Sequence, residues 1–160
     1  MPVTLKPALL LVFLSGSVTA GWLPTIDTIT NRSFSDVTCQ GNAHAVVEDT
    51  FGNIHVVWRG ALSGVQHVWY SRLSITADTW TTNTVISDTG PVTDPAIAAD
   101  SAGNIIVVWT GGSRLNARRR LGASGQWLPI VSAAGSSGDS SVSVAYDRLG
   151  IAHQFLQFRV

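Results

Sequence analysis

Two stretches of this chain are near-copies of one another. Ala45 to Trp58 reads AVVEDTFGNIHVVW and Pro95 to Trp109 reads PAIAADSAGNIIVVW. Asp49 and Asp100, Gly52 and Gly103, Asn53 and Asn104, and Trp58 and Trp109 pair at a separation of 51 residues. A weaker third copy, Val142 to Phe155 (VSVAYDRLGIAHQF), carries Asp147 and Gly150 a further 47 residues on. A period of about 50 residues that spans a whole supersecondary unit points to a repeat architecture and outranks any single local motif.

Within a repeat the pattern is strand, turn, strand. No segment after residue 20 shows apolar residues at i, i+3, i+4 and i+7, and short β-branched and aromatic runs are broken by Gly, Asn, Asp and Ser. The chain is therefore expected to be all-β. The first strand is read at Ala43–Glu48 and Pro95–Ala99. The turns follow at Asp49-Thr50-Phe51-Gly52-Asn53 and Asp100-Ser101-Ala102-Gly103-Asn104. Asp bonds nearby backbone amides to open such a turn, and Gly accepts the positive φ that closes it. Asp49, Gly52, Asp100, Gly103, Asp147 and Gly150 are thus read as structural turn residues, because a turn is needed in every repeat and a catalytic group only once.

The second strands, Ile54–Trp58 and Ile105–Trp109, are apolar on both faces and must be covered on both sides. Sheets stacked face to face supply that cover, whereas a two-layer sandwich would leave one face wet and alternate more strictly. After a Gly-rich connection (Arg59–Gly64 or Thr110–Ser113) comes a third strand at Val65–Arg72 or Arg114–Leu121. A fourth follows at Trp80–Ile86 or Trp127–Val131. Four antiparallel strands per repeat make one blade of a β-propeller. The expected organisation is a blade over 43–86, a second over 95–131 and a half blade over 141–160. Residues 21–30 form a stray outer strand, because Trp22-Leu23-Pro24-Thr25-Ile26 resembles Trp127-Leu128-Pro129-Ile130-Val131. Such a set does not close a ring. Two explanations stand open: a truncated chain, or several copies that associate through open blade edges.

Residues 1–20 have the layout of a secretory signal peptide. Lys6 gives a positive start, Leu9 to Leu14 is apolar, and Ser17-Val18-Thr19-Ala20 ends in small residues. The remainder is expected to be secreted or periplasmic, with no membrane association after cleavage. It carries nine Arg against ten Asp and Glu, a balance that argues against nucleic acid as a partner. The Arg118-Arg119-Arg120 run lies on a strand, where neighbours point to opposite faces, and is read as a solvated outer strand. Cys39 is the only cysteine, no Cys/His spacing resembles a zinc site, and neither a metal nor a cofactor is expected. His44, His55, His67 and His153 are read as packed or surface residues.

The repeated DxxGN hairpin ending in VVW, followed by Tyr70-Ser71-Arg72 and Trp80, resembles the sialidase-like β-propeller superfamily with its Asp-box repeats. The likeness is to the blade and not to the signature turn. Anchored on Trp80, only Thr79 and Trp80 of the S/T-x-D-x-G-x-T-W box are present, with Asp78 out of register. The Arg-Ile-Pro motif of the active sialidases is absent, and Glu48 is the only glutamate. The resemblance implies loops gathered at one end of a central channel, where Arg59, Arg114, Asp88, Asp94 and Asp139 would meet a ligand. Arginine bonds carboxylates in a two-pronged way, and acidic groups beside it suit a polar sugar. Two functions follow from the resemblance. One is an extracellular binding or scaffold module for glycans or cell-surface proteins. The other is the N-terminal part of a sialidase-type glycoside hydrolase, for which Tyr70 could be proposed as nucleophile, although its blade position reads as an ordinary third-strand aromatic.

Overall fold

The computed structural model describes residue 29 and residues 44–88, 90–93, 95–134 and 140–158. They are all-β, built of antiparallel sheets, with no helix among them. The expected signal peptide, Cys39 and all of the expected outer strand except Ile29 lie outside the described residues.

The first sheet runs β1 (Val46–Glu48), β2 (Ile54–Leu62), β3 (Val65–Ser74) and β4 (Thr79–Trp80), with β5 (Thr84–Val85) also on β3. The second runs β6 (Ala96–Ala99), β7 (Ile105–Gly111), β8 (Arg114–Arg120) and β9 (Val131–Ala134). The third is the pair β10 (Ser140–Tyr146) and β11 (Ala152–Phe158). Each first hairpin turns through its Asp and Gly. Gly52, Gly103 and Gly150 have φ of 81°, 75° and 75°, in the left-handed region that glycine enters at least cost. Gly103 has a second constraint, since a Cβ there would lie 2.5 Å from the Phe51 ring of the first hairpin.

The second hairpins correct the sequence reading. β2 and β7 run past their tryptophans to Leu62 and Gly111, and the turns shrink to Ser63-Gly64 and Gly112-Ser113. All four turn residues have positive φ (52°, 82°, 57° and 68°), the two-residue geometry that matches strand twist. Arg59 consequently lies inside a strand, opposite Val68, and not in a loop.

The fourth strands also differ from expectation. Pairing slips by one residue between Leu73↔Trp80 and Tyr70↔Thr84, and β4 and β5 are separate pieces. The second sheet slips likewise between the lone bridge Arg120↔Trp127 and the pair Ala117↔Val131. At the first slip the Thr81 hydroxyl accepts from Arg72 N at 3.0 Å. At the second, Pro129 has no N–H to give to a ladder.

The three sheets stack in a fixed sense. From the first sheet, Val57, Val68, Tyr70 and Ile86 pack on Ile97, Ile105, Val107 and Trp109 of the second. The second sheet's other face, Ala96, Ala98, Ile106 and Val108, packs on Val142 and Val144, with Ala152 and Leu156 beside them. Counting from Asp49 and Asp100, the residues six and eight places on face the following sheet. Those five, seven and nine places on face the preceding one. This is why β2 and β7 are apolar on both faces. On the first sheet's preceding side, Val56, Trp58 and Trp69 form a third cluster with Trp80, Val85 and Ile29, whose carbonyl accepts from Asn83 Nδ2 at 3.0 Å.

Candidate functional site

A cleft of about 230 Å³ opens between the connection that enters β6 and the β7–β8 hairpin. Asp88, Gly90, Pro91 and Val92 line one side, and Trp109, Gly111, Gly112, Asn116 and Ile130 the other. The walls are held close by backbone. Thr93 N donates to Thr110 O at 2.8 Å, and Thr110 N returns a bond to Thr93 Oγ1 at 3.1 Å. Gly111 has no Cβ for a reason: one would meet the Pro91 carbonyl oxygen at 2.7 Å. Trp109, buried in the core between the first two sheets, closes the floor. The Asn116 amide is fixed across the floor's edge, with Oδ1 accepting from Ser132 Oγ at 2.7 Å. Asp88 is exposed and supplies the one formal charge among the lining residues.

Of the five ligand residues read from the sequence, the structure brings Asp88 into this cleft. Arg114 opens β8 next to the Gly112-Ser113 turn, exposed and outside the lining. Arg59 sits partly buried on the face of β2 that looks toward the second sheet. Asp94 and Asp139 lie outside the described residues. Trp109 and Asn116 were missed as lining groups. Trp109 reads as pure core, and Asn116 lies inside the third strand, opposite Trp109, away from the loops searched.

A second polar cluster is buried between the first two sheets. His55 is 0% exposed; its Nε2 lies 3.0 Å from Asp49 Oδ2 and its Nδ1 2.7 Å from the Tyr70 hydroxyl. Burial lowers the His55 pKa against the pull of Asp49, so the ring is neutral at pH 7. A neutral ring donates from one nitrogen only. Nε2–H must therefore face the carboxylate, and Tyr70 O–H donates to Nδ1. Burial disfavours the charged form of Asp49, but bonds from Asn53, His55 and two backbone amides outweigh it and bring the pKa down to about 2. Burial pushes Tyr70 up to about 12. The hydroxyl is 4% exposed and committed to His55, as a packing group of the interface between the first two sheets.

The arginine run is not a solvated strand. Arg118 donates to Ile86 O and Leu128 O, both at 2.9 Å, and its guanidinium lies 5.8 Å from the Trp127 ring. Trp127 meets Tyr70 edge-on at 4.9 Å. Arg119, on the opposite face, bonds Asp100 at 3.3 Å. Arg118 ties the second sheet to the first, and Arg119 braces the first hairpin of its own sheet. The chain matches no protein-family model, no curated protein and no solved structure.

Proposed function

We propose that the chain is a secreted module of the sialidase-like β-propeller type, acting in extracellular binding with a glycan as its ligand. The stacking of three like sheets and the packing of Ile29 on the outer side of the first support the blade reading. The observation that carries the binding reading is the cleft at Asp88, at the end where the connection into β6 meets the β7–β8 hairpin. At about 230 Å³ it is smaller than the roughly 300–1,000 Å³ of drug-sized pockets. It suits one sugar ring rather than a long oligosaccharide. Its lining carries a carboxylate, an amide, an indole and backbone around three glycines, with no cation. Such a lining accepts and donates hydrogen bonds to a neutral polyol and repels a carboxylate sugar. Arg59 and Arg114, the groups that would clamp an acidic sugar, stand outside it.

Saturation-transfer NMR with glucose, galactose, mannose, N-acetylglucosamine and sialyllactose tests the reading. Neutral sugars should give contacts that vanish in Asp88→Ala, a variant whose exposed position leaves unfolding unchanged. Contacts from sialyllactose alone, or none at all, would overturn it. The second reading, part of a sialidase-type hydrolase, would gain support from turnover of a fluorogenic sialoside lost on mutating Arg59 or Arg114.

A further inference from the structure

We propose, resting on the glycan reading of the cleft at Asp88, that its preferred ligand is an amino sugar: a single ring whose protonated amine pairs with the Asp88 carboxylate while a ring oxygen accepts from the Asn116 amide. The aspartates of the three hairpins are already committed. Asp49 and Asp100 accept from backbone amides and from the asparagine four places on, with His55 or Arg119 beside them. Asp147 accepts from two amides and lies 3.0 Å from His153. Asp88 differs from all three. It is exposed, enters no ion pair among the described residues and stands in the wall of a cleft.

The opposite wall offers the complementary group. Ser132 Oγ donates to Asn116 Oδ1 at 2.7 Å, which fixes the orientation of the amide. Its nitrogen then lies along the cleft wall, since a Cβ on Gly111 would be 3.4 Å from Asn116 Nδ2. One of the two Nδ2 hydrogens has the Arg114 carbonyl at 3.5 Å, a long contact, and the other is left for a ligand.

The two walls therefore differ in kind. One presents an acceptor with a full negative charge and the other a neutral donor, with Val92, Trp109 and Ile130 between them. A hydroxyl satisfies either wall. An ammonium satisfies the charged one better, because a charge-assisted bond is about twice as strong as a neutral one and the lining holds no cation to compete. An amine in place of one hydroxyl leaves the ring's size unchanged, so the fit to about 230 Å³ is kept. An N-acetyl group in the same place adds bulk and removes the charge. Water screens a pair made at exposed Asp88, so the gain over a neutral ring is modest, about threefold.

NMR titrations of the isotope-labelled chain with glucosamine, glucose, N-acetylglucosamine and ethanolamine test this at about pH 6, where the amine is charged. Glucosamine should bind about threefold tighter than glucose or N-acetylglucosamine, with shifts at the Gly111 and Gly112 amides and the Asn116 side-chain amide. The gain should shrink at about 1 M salt, where the Debye length falls to about 3 Å. In Asp88→Asn the ratio of glucosamine to glucose affinity should fall to about one. If glucose binds and glucosamine gains nothing, or if the gain survives both salt and Asp88→Asn, the ammonium assignment is overturned and the glycan reading stands. If no sugar binds, or if ethanolamine matches glucosamine and glucose does not bind, both are overturned.

Discussion

The hairpins at Asp49 and Asp100 make the same turn and spend the second carboxylate oxygen differently. In both, Oδ1 accepts from the backbone amides two and four residues on, Phe51 and Asn53 at 2.9 Å, and Ala102 and Asn104 at 2.9 and 2.8 Å. Asp147 repeats this with Leu149 and Ile151. Oδ2 accepts from the hairpin's own asparagine in both, Asn53 Nδ2 at 2.9 Å and Asn104 Nδ2 at 2.7 Å, and differs in its further partner: buried His55 for Asp49 and Arg119 for Asp100, because Ile106 replaces the histidine. Turn formation and the second partner are thus separable. Oδ1 builds the hairpin in every repeat, and Oδ2 adds a partner from a strand of the same sheet, His55, Arg119 or His153.

The largest test of that division removes the carboxylate. Asp49→Ala should cost about 3 kcal/mol, since it strands the buried His55 Nε2–H as well as the turn amides. Asp147→Ala, at an exposed hairpin whose His153 reaches water, should cost clearly less. Urea unfolding of both variants decides the matter. Equal losses would mean that the histidine contact adds nothing to the turn.

A smaller effect separates the repeats by pH. The His55 pKa is lowered in the folded chain, so the unfolded chain takes the proton first. Its contribution is complete above the unfolded value of 6.5 and is lost as pH falls below it, by at most about 1.4 kcal/mol per pH unit. Asp49, lowered to about 2, acts in the same direction in a lower window, losing its contribution as pH falls below 3.8. Stability measured from pH 7 downward should therefore decline below 6.5. His55→Gln should flatten the decline. A stability that rises on acidification would refute the neutral-ring assignment.

The hairpins and the stack were legible because their causes are local. Asp, Gly and a strand apolar on both faces each state a requirement that only a few residues can meet. What stayed hidden depends on pairing register. His55 and Tyr70 meet because β2 and β3 pair over nine residues around the Ser63-Gly64 turn, and the sequence reading began that connection at Arg59. A signal was present nonetheless: histidine stands six places after the hairpin Asp in the first and third repeats. The split fourth strands were hidden for a related reason, since a threonine hydroxyl and a proline decide where the ladder breaks. At the cleft, Asp88 was legible from its loop position. Trp109 and Asn116 were not, because their inclusion follows from how closely Pro91 approaches Gly111.

The smallest prediction concerns a place where the first two repeats use different residues for one backbone shape. Asp78 has φ of 50°, and Gly125, 47 residues on, has φ of 71°. Both end the turn before the fourth strand, with Asp78 N on Ser74 O and Gly125 N on Leu121 O, each at 2.8 Å. An L-residue pays about 1–2 kcal/mol for that conformation, and glycine returns about 0.5–1 kcal/mol of it as extra freedom in the unfolded chain. Asp78→Gly should therefore stabilise by about 0.5 kcal/mol. Gly125→Ala should destabilise by about 1 kcal/mol or more, because an L-residue is strained at its φ of 71°. Thermal unfolding of the two single variants gives the comparison directly. If Asp78→Gly destabilises instead, the aspartate holds its turn by more than backbone tolerance, and the two repeats are not equivalent there.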